Sequence, residues 1–222
     1  MIKLLAVSAT LIVALFASLA HAGTKEKSFS HDPEVAAFIL EMQEKHGFEA
    51  EFLQYRFSRL QPNETVLKAI RPPAVPELQR SWERYRARFL NERRISAGIR
   101  FWNENATTLK RASALYGVPE EVIVAIIGVE TEYGRNTGKF GVMQALATLA
   151  FRYPPRAPFF RSELENYLLL ARENGFDPLI LKGSYAGAMG MPQFMPSSQR
   201  RYAVDFDGDG KVDLTRSVED AI

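Results

Sequence analysis

The chain contains no cysteine and only three histidines, His21, His31 and His46. Thiol nucleophiles, disulfides and cysteine zinc sites are therefore excluded, and imidazole chemistry has few candidates. Catalysis must lean on carboxylates, hydroxyls or a hard cation. Among the carboxylates Glu130 has the most suggestive surroundings, because it follows Ile127, Ile126 and Ile123 by three, four and seven positions and would share their face on a helix. A carboxyl held against aliphatic side chains loses hydration of its ionised form and keeps its proton, which is the state a general acid needs. The glycine-bearing turn from Tyr133 to Gly138 would leave Glu130 at the rim of a cleft, while Glu132 points to another side. The competing reading of Glu130 is a buried ion pair with Arg135 or Arg152.

Residues 182–198 form a second cluster of small residues, hydroxyls, an amide and aromatic or thioether surface. Glycines and alanines there would let a ligand lie against the backbone, Ser184 and Gln193 offer hydrogen bonds, and Tyr185 and Phe194 offer flat faces for sugar rings. Tight helix packing through small residues is the alternative for the same stretch. A third cluster, residues 205–213, places Asp205, Asp207, Asp209 and Asp213 at positions 1, 3, 5 and 9 of a calcium-type loop, with Gly210 at 6 and the Lys211 carbonyl at 7. Position 12 is Arg216 rather than Glu. A late acid, Glu219 or Asp220, must then fold back to complete the set, and the site's role would be structural.

These groups must be positioned by helices. Asp32-Pro33 gives a cap and a first-turn proline, and Val35, Phe38, Ile39 and Met42 follow at helical spacing up to Gly47. A proline-rich loop around Pro72, Pro73 and Pro76 precedes a long helical pattern over residues 77–116, which Gly98 would split. The arginines in it, Arg84, Arg86, Arg88, Arg93, Arg94 and Arg100, read as a solvated face. Residues 118–121 open a helix expected to be buried on most sides, and further helices follow near residues 142–151 and 161–174, with residues 153–158 as a loop. No period-2 run of five residues occurs, so the fold is expected to be mainly α. The net charge of +2 provides no large excess for holding a polyanion, so nucleic acid is not an expected partner. At the N-terminus Lys3, an apolar run over residues 4–19 and Ala20-His21-Ala22 read as a signal peptide cleaved after Ala22. Without cysteine the exported chain cannot be a lipoprotein.

The chain resembles the lytic transglycosylase B family, bacterial enzymes of murein. The resemblance rests on Tyr116-Gly117-Val118-Pro119, the run from Ile126 to Thr131 with Gly134, the run from Ala145 to Leu149, residues 181–190, and the run from Gln193 to Ser198. It implies a lysozyme-like catalytic core with an EF-hand-like calcium loop. The expected division is a leader at 1–22, a helical region at 23–115 and a core at 116–222, with the calcium loop at 205–220. The core is expected to be incomplete, because the family continues beyond this point. The resemblance also implies that Glu130 is the single catalytic acid and base, and that Ser184, Gln193, Tyr185, Met191 and Phe194 line the glycan cleft. Arg156 carries over as a contact to a peptide or lactyl carboxylate. The implied reaction cleaves the β-1,4 bond between N-acetylmuramic acid and N-acetylglucosamine in the periplasm and leaves a 1,6-anhydro sugar. Calcium is the one implied cofactor and the glycan strand of peptidoglycan the implied partner. Two alternatives stay open: a lysozyme-type muramidase with Glu132 or Glu163 as second carboxylate, and a calcium-bearing, non-catalytic glycan-binding module.

Overall fold

The structure, a computed structural model, describes residues 28–72 and 81–222. The leader expected over residues 1–22 and most of the proline-rich loop lie outside the described residues. The chain folds into helices α1 (Pro33–His46), α2 (Ala50–Ser58), α3 (Glu64–Ile70), α4 (Trp82–Ala87), α5 (Glu92–Glu104), α6 (Ala106–Tyr116) and α7 (Glu120–Thr131). Strand β1 (Phe140–Gly141), helices α8 (Val142–Arg152) and α9 (Ala157–Glu173), strand β2 (Lys182–Gly183), and helices α10 (Pro196–Tyr202) and α11 (Val218–Ala221) complete it. The two short strands pair antiparallel, Phe140 opposite Gly183. The fold is mainly α, as the periodicity predicts. Among the described residues no single helix is long and apolar enough to cross a membrane.

Local rules account for most of the boundaries. The Asp32 side chain accepts from the Glu34 amide, Pro33 occupies the first turn, and Gly47 closes α1 at φ 67°. Val35, Phe38, Ile39 and Met42 are all buried, so the amphipathic stripe read in the sequence is the packed one. The long pattern over 77–116 divides differently from expectation. Its breaks fall at residues 88–91 and at Asn105, where the Asn91 side chain caps α5 and Asn105 folds back onto the Phe101 carbonyl. Gly98 lies inside α5, where its missing side chain makes room for a ring described below. Helix α9 begins before the expected residue 161, because Pro158 fits its first turn.

Two apolar cores hold the helices. The larger joins Phe29, α1, α2 and α3 to α8, α9 and Met189, with Phe38, Phe57 and Phe151 in edge-to-face contact. The smaller joins Phe101 of α5, Leu109 of α6, Val124 and Ile127 of α7, Met191 and Ala221. Each core draws on segments far apart in the chain, so α7 is braced by α5 and α6 on one side and by residues near 191 and 221 on the other. At the far side Arg200 clamps α10 to α9, donating to the Glu173 carboxylate at 2.7 and 2.9 Å.

The Arg200 hydrogen bonds hold the Glu173 carboxyl below its usual range. Because the folded-state value is the lower one, this contribution is complete above the unfolded-state value and is lost as pH falls through the folded one. Urea unfolding of the wild type and of Glu173→Gln should therefore give a constant stability difference well above the unfolded-state value of about 4.3, and the difference should shrink as pH falls below that value.

Candidate active site

Glu130 occupies the penultimate position of α7, followed by a left-handed turn. Glu132, Tyr133 and Gly134 have φ of 53°, 61° and 80°, so two of the three residues carry side chains in a conformation that favours glycine. Such a turn survives only where its side chains are held. The Glu132 carboxylate is 8% exposed as a residue and lies 2.7 and 2.9 Å from an Arg93 nitrogen, with Arg135 at 3.7 Å. Arg94 donates to the Gly128 carbonyl at 2.6 Å, meeting the negative end of the α7 dipole. Two of the arginines expected to form a solvated face are thus tied to the end of α7. Tyr133 inserts its ring against Phe101, with its hydroxyl beside Gly98 and Gly128. Burial raises the pKa of that hydroxyl, and the Arg94 charge opposes the rise.

The turn is stitched to the small-residue segment. The Thr131 hydroxyl lies 2.9 Å from the Met191 carbonyl and accepts from the Gly134 amide at 3.0 Å. The Gln193 side-chain amide donates to the Thr137 carbonyl at 3.2 Å and to the Gly190 carbonyl at 2.9 Å, and Gln193 itself adopts φ 53°. Gly138 lies so close to the Gly183 carbonyl that a Cβ there would sit 2.0 Å from it. Ser184, through its Oγ, accepts from the Ala186 and Ala188 amides at 3.2 and 3.0 Å and shapes the following turn. Tyr185 stands exposed, Phe194 is half-buried and bridges to Met189, and Met191 is 9% exposed within the smaller core. The structure therefore joins the turn that follows Glu130 to the segment carrying Ser184, Gln193 and Phe194 along one seam, with Met191 supporting it from behind.

Other expectations change. Helix α7 is not buried on most sides: Val122, Ile126 and Val129 are exposed, Ile126 at 51% and Val129 at 44%, and Glu130 is exposed beside them. Of the three isoleucines only Ile127 is fully in the core, so the aliphatic neighbours of Glu130 form an open face rather than an enclosure. The physical reason is that α5, α6, Met191 and Ala221 pack on the Val124 and Ile127 side of α7, while among the described residues the Val122, Ile126 and Val129 face is left uncovered. The two arginines considered as partners of Glu130 are engaged elsewhere, Arg135 beside Glu132 and Arg152 on Asp32. Arg156 ends the 3-10 turn Pro154–Arg156, stacked over Phe159 and Phe160. It follows the far end of α8, a helix about 16 Å long that starts directly after β1.

The acidic loop has its own geometry. Carboxylate oxygens of Asp205, Asp207 and Asp209 lie within 4.8 Å of one another. Asp220 folds back over the loop and is buried; its carboxylate accepts from the amides of Phe206 and Asp213 at 2.8 Å and of Asp207 at 3.4 Å. Asp213 accepts from the Thr215 and Arg216 amides, which turns the chain away from position 12. Glu219 is half-buried beside it on α11. The loop docks on α6 through Phe206, over which the Arg111 guanidinium stacks at 3.9 Å. It also joins the seam, since the Leu214 carbonyl accepts from the Met191 amide at 2.9 Å.

Comparison with known proteins agrees with this picture. Residues 30–222 match the transglycosylase SLT domain family. Over 200 residues the chain is 46% identical to the membrane-bound lytic murein transglycosylase B of Escherichia coli K12, covering 86% of this chain and 55% of that protein. The chain thus spans little more than half the length of this relative. The structure of the E. coli lytic transglycosylase Slt35 in complex with calcium superposes with a TM-score of 0.80 at 46% identity, covering 87% of this chain and 61% of that one. SltB3 of Pseudomonas aeruginosa, in complex with NAG-anhNAM-pentapeptide, gives 0.72 at 31% identity, covering 85% and 49%.

Proposed function

Because the chain belongs to the transglycosylase SLT domain family, we propose that it is a lytic murein transglycosylase in which Glu130 acts as general acid and then as base. The observation that carries this reading is the contrast among three carboxylates. Glu130 is exposed at the end of α7, Glu132 is locked to Arg93, and Glu163 is buried beneath α10, accepting from the Ser197 amide and hydroxyl at 2.9 and 2.6 Å. Hydrolysis by a paired-carboxylate mechanism needs a second free carboxylate about 5 to 9.5 Å from the first. Both alternatives weighed for that role, Glu132 and Glu163, are held in structural bonds. An intramolecular nucleophile removes the requirement.

In the proposed reaction Glu130 gives its proton to the oxygen bridging N-acetylmuramic acid and N-acetylglucosamine, and the C1–O bond breaks through an oxocarbenium-like transition state. The Glu130 carboxylate then takes the proton of the muramoyl C6 hydroxyl, whose oxygen bonds to C1 and closes the 1,6-anhydro ring. Ser184, Tyr185, Gln193 and Phe194 would line the sugar path, with Met191 behind them. Arg156, at the other end of α8, would reach only a peptide or carboxylate that extends well beyond the scissile bond. The proposed setting is the periplasm, with the leader removed after Ala22 and peptidoglycan strands as the partner.

The acidic loop would hold calcium through Asp205, Asp207, Asp209, the Lys211 carbonyl and Asp213, with Glu219 or Asp220 as the late acid. The donors fit a hard cation, since three carboxylates already converge and oxygen is the only ligand atom offered. The ion would supply structural cross-linking of loop, α6 and α11. Digestion of purified murein tests the enzymatic reading: mass spectrometry is expected to find products one water lighter than hydrolytic muropeptides. Reducing-end products would establish a hydrolase instead, and binding without products would establish the glycan-binding module.

A further inference from the structure

Two glycines face one another across the α5–α7 contact with a single ring between them. A Cβ built on Gly98 would lie 2.4 Å from the Tyr133 hydroxyl oxygen, and one built on Gly128 would lie 2.5 Å from it. The Tyr133 backbone is left-handed, as is that of Glu132 before it. Nothing in the local sequence favours this conformation, so it must be imposed by what the side chains are fastened to. Glu132 is fastened to Arg93 of α5, and the Tyr133 ring is seated at Gly98 of the same helix. The carboxylate three residues before that ring, Glu130, has no such tether of its own and depends on the helix end for its direction.

We propose that Tyr133 is a positioning residue for Glu130: its ring, wedged between Gly98 and Gly128, locks the end of α7 to α5 and so fixes the direction in which the acid projects. Gly98 and Gly128 are the matching parts of the device, because a Cβ at either would collide with the Tyr133 hydroxyl. This rests on the reading of Glu130 as the acid. The wedge also explains why Gly98 stands in the middle of a helix, where glycine is otherwise unfavourable.

The test uses Gly98→Ala, Tyr133→Phe and the double variant. Gly98→Ala pushes against the hydroxyl; removing that oxygen leaves the nearest ring carbon 3.0 Å from the new methyl, a contact a small shift accommodates. Rates on purified murein strands are expected to fall about tenfold to a hundredfold in kcat for Gly98→Ala, with KM within about twofold. The double variant is expected to recover most of the loss, and Tyr133→Phe alone to stay near wild type. Amide hydrogen exchange is measured on the same proteins. Exchange at residues 131–134 should quicken in Gly98→Ala and slow again in the double variant, while α8 and α9, in the other core, keep their protection. Should Gly98→Ala fail to fold, Tyr133→Leu, which opens space instead of closing it, is expected to give the same kinetic and exchange pattern. A Gly98→Ala protein with native rate and exchange overturns the proposal, as does a loss that Tyr133→Phe fails to relieve. Full activity in Glu130→Gln would instead refute the assignment of the acid, and the exchange comparison would still decide whether Tyr133 holds the turn.

Discussion

Glu130→Gln is expected to slow release of soluble muropeptides from murein by about a hundredfold or more, the scale set by loss of a general acid. The amide is nearly the same size and keeps a hydrogen-bonding head, but it has no proton to give at the bridging oxygen. Stability should hardly move, because Glu130 is exposed and takes no part in the Arg93 or Arg135 ion pairs; thermal unfolding should stay within the ~0.5 kcal/mol range of surface changes. Glu132→Gln makes the reciprocal control. It weakens a paired, mostly buried carboxylate and should lower the melting temperature measurably. If Glu132→Gln abolished activity without loss of stability while Glu130→Gln remained active, the roles of the two residues would have to be exchanged.

The second large effect is expected at Asp220. Its carboxylate satisfies three backbone amides of the acidic loop, those of Phe206, Asp207 and Asp213. Asp220→Ala leaves these donors without their acceptor, and each hydrogen bond to a charged group contributes about 1.5 to 3 kcal/mol, with the longest of the three contributing least. A loss of about 3 kcal/mol or more in chemical denaturation is therefore expected, with Asp220→Asn intermediate because one oxygen is retained. Calcium should raise the wild-type melting temperature, since binding to the folded state alone stabilises it by mass action. Asp205→Asn should weaken that response, because it removes charge from the converging carboxylates. A melting temperature indifferent to calcium would rule out the metal reading, while the Asp220→Ala result would still measure its hydrogen bonds.

The link between the two sites is physical rather than sequential. The Leu214 carbonyl, next to Asp213, holds the Met191 amide, and the Met191 carbonyl meets the Thr131 hydroxyl one residue after Glu130. A loop that looked remote from the acid in the sequence is two hydrogen bonds from its helix. Loosening at Asp220 should consequently reach the seam, whereas loosening at the Glu173–Arg200 clamp should not.

The residues whose roles differ from the sequence expectation share one property. Gly98 reads as a break, and Arg93 and Arg94 read as charges without a protein partner, because each is read from its neighbours within a helical turn; Arg93 does stay largely exposed, but it also pairs with Glu132. Their actual roles depend on Tyr133, Glu132 and Gly128, which stand more than thirty positions away. In the sequence Tyr133 stands out only as part of a glycine-bearing turn. A signal was present in the pairing of a mid-helix glycine with an aromatic residue after a helix end, but no local rule joins the two.

What the amino-acid sequence determined by itself was whatever depends on composition or on spacing within a few residues. It excluded thiol chemistry, placed the caps of α1, gave the buried stripe of α1 and the helical run of α8, spaced the acids of the loop, and put Glu130 at the end of α7. Only the tertiary structure decided that Glu130 faces outward while Glu132 is bound, that Asp220 is the acid folded onto the loop's amides, and that α7 keeps an apolar face open. Helical periodicity fixes which side chains share a face, but which face is covered depends on the packing of distant segments, and so does the partner each charge finds.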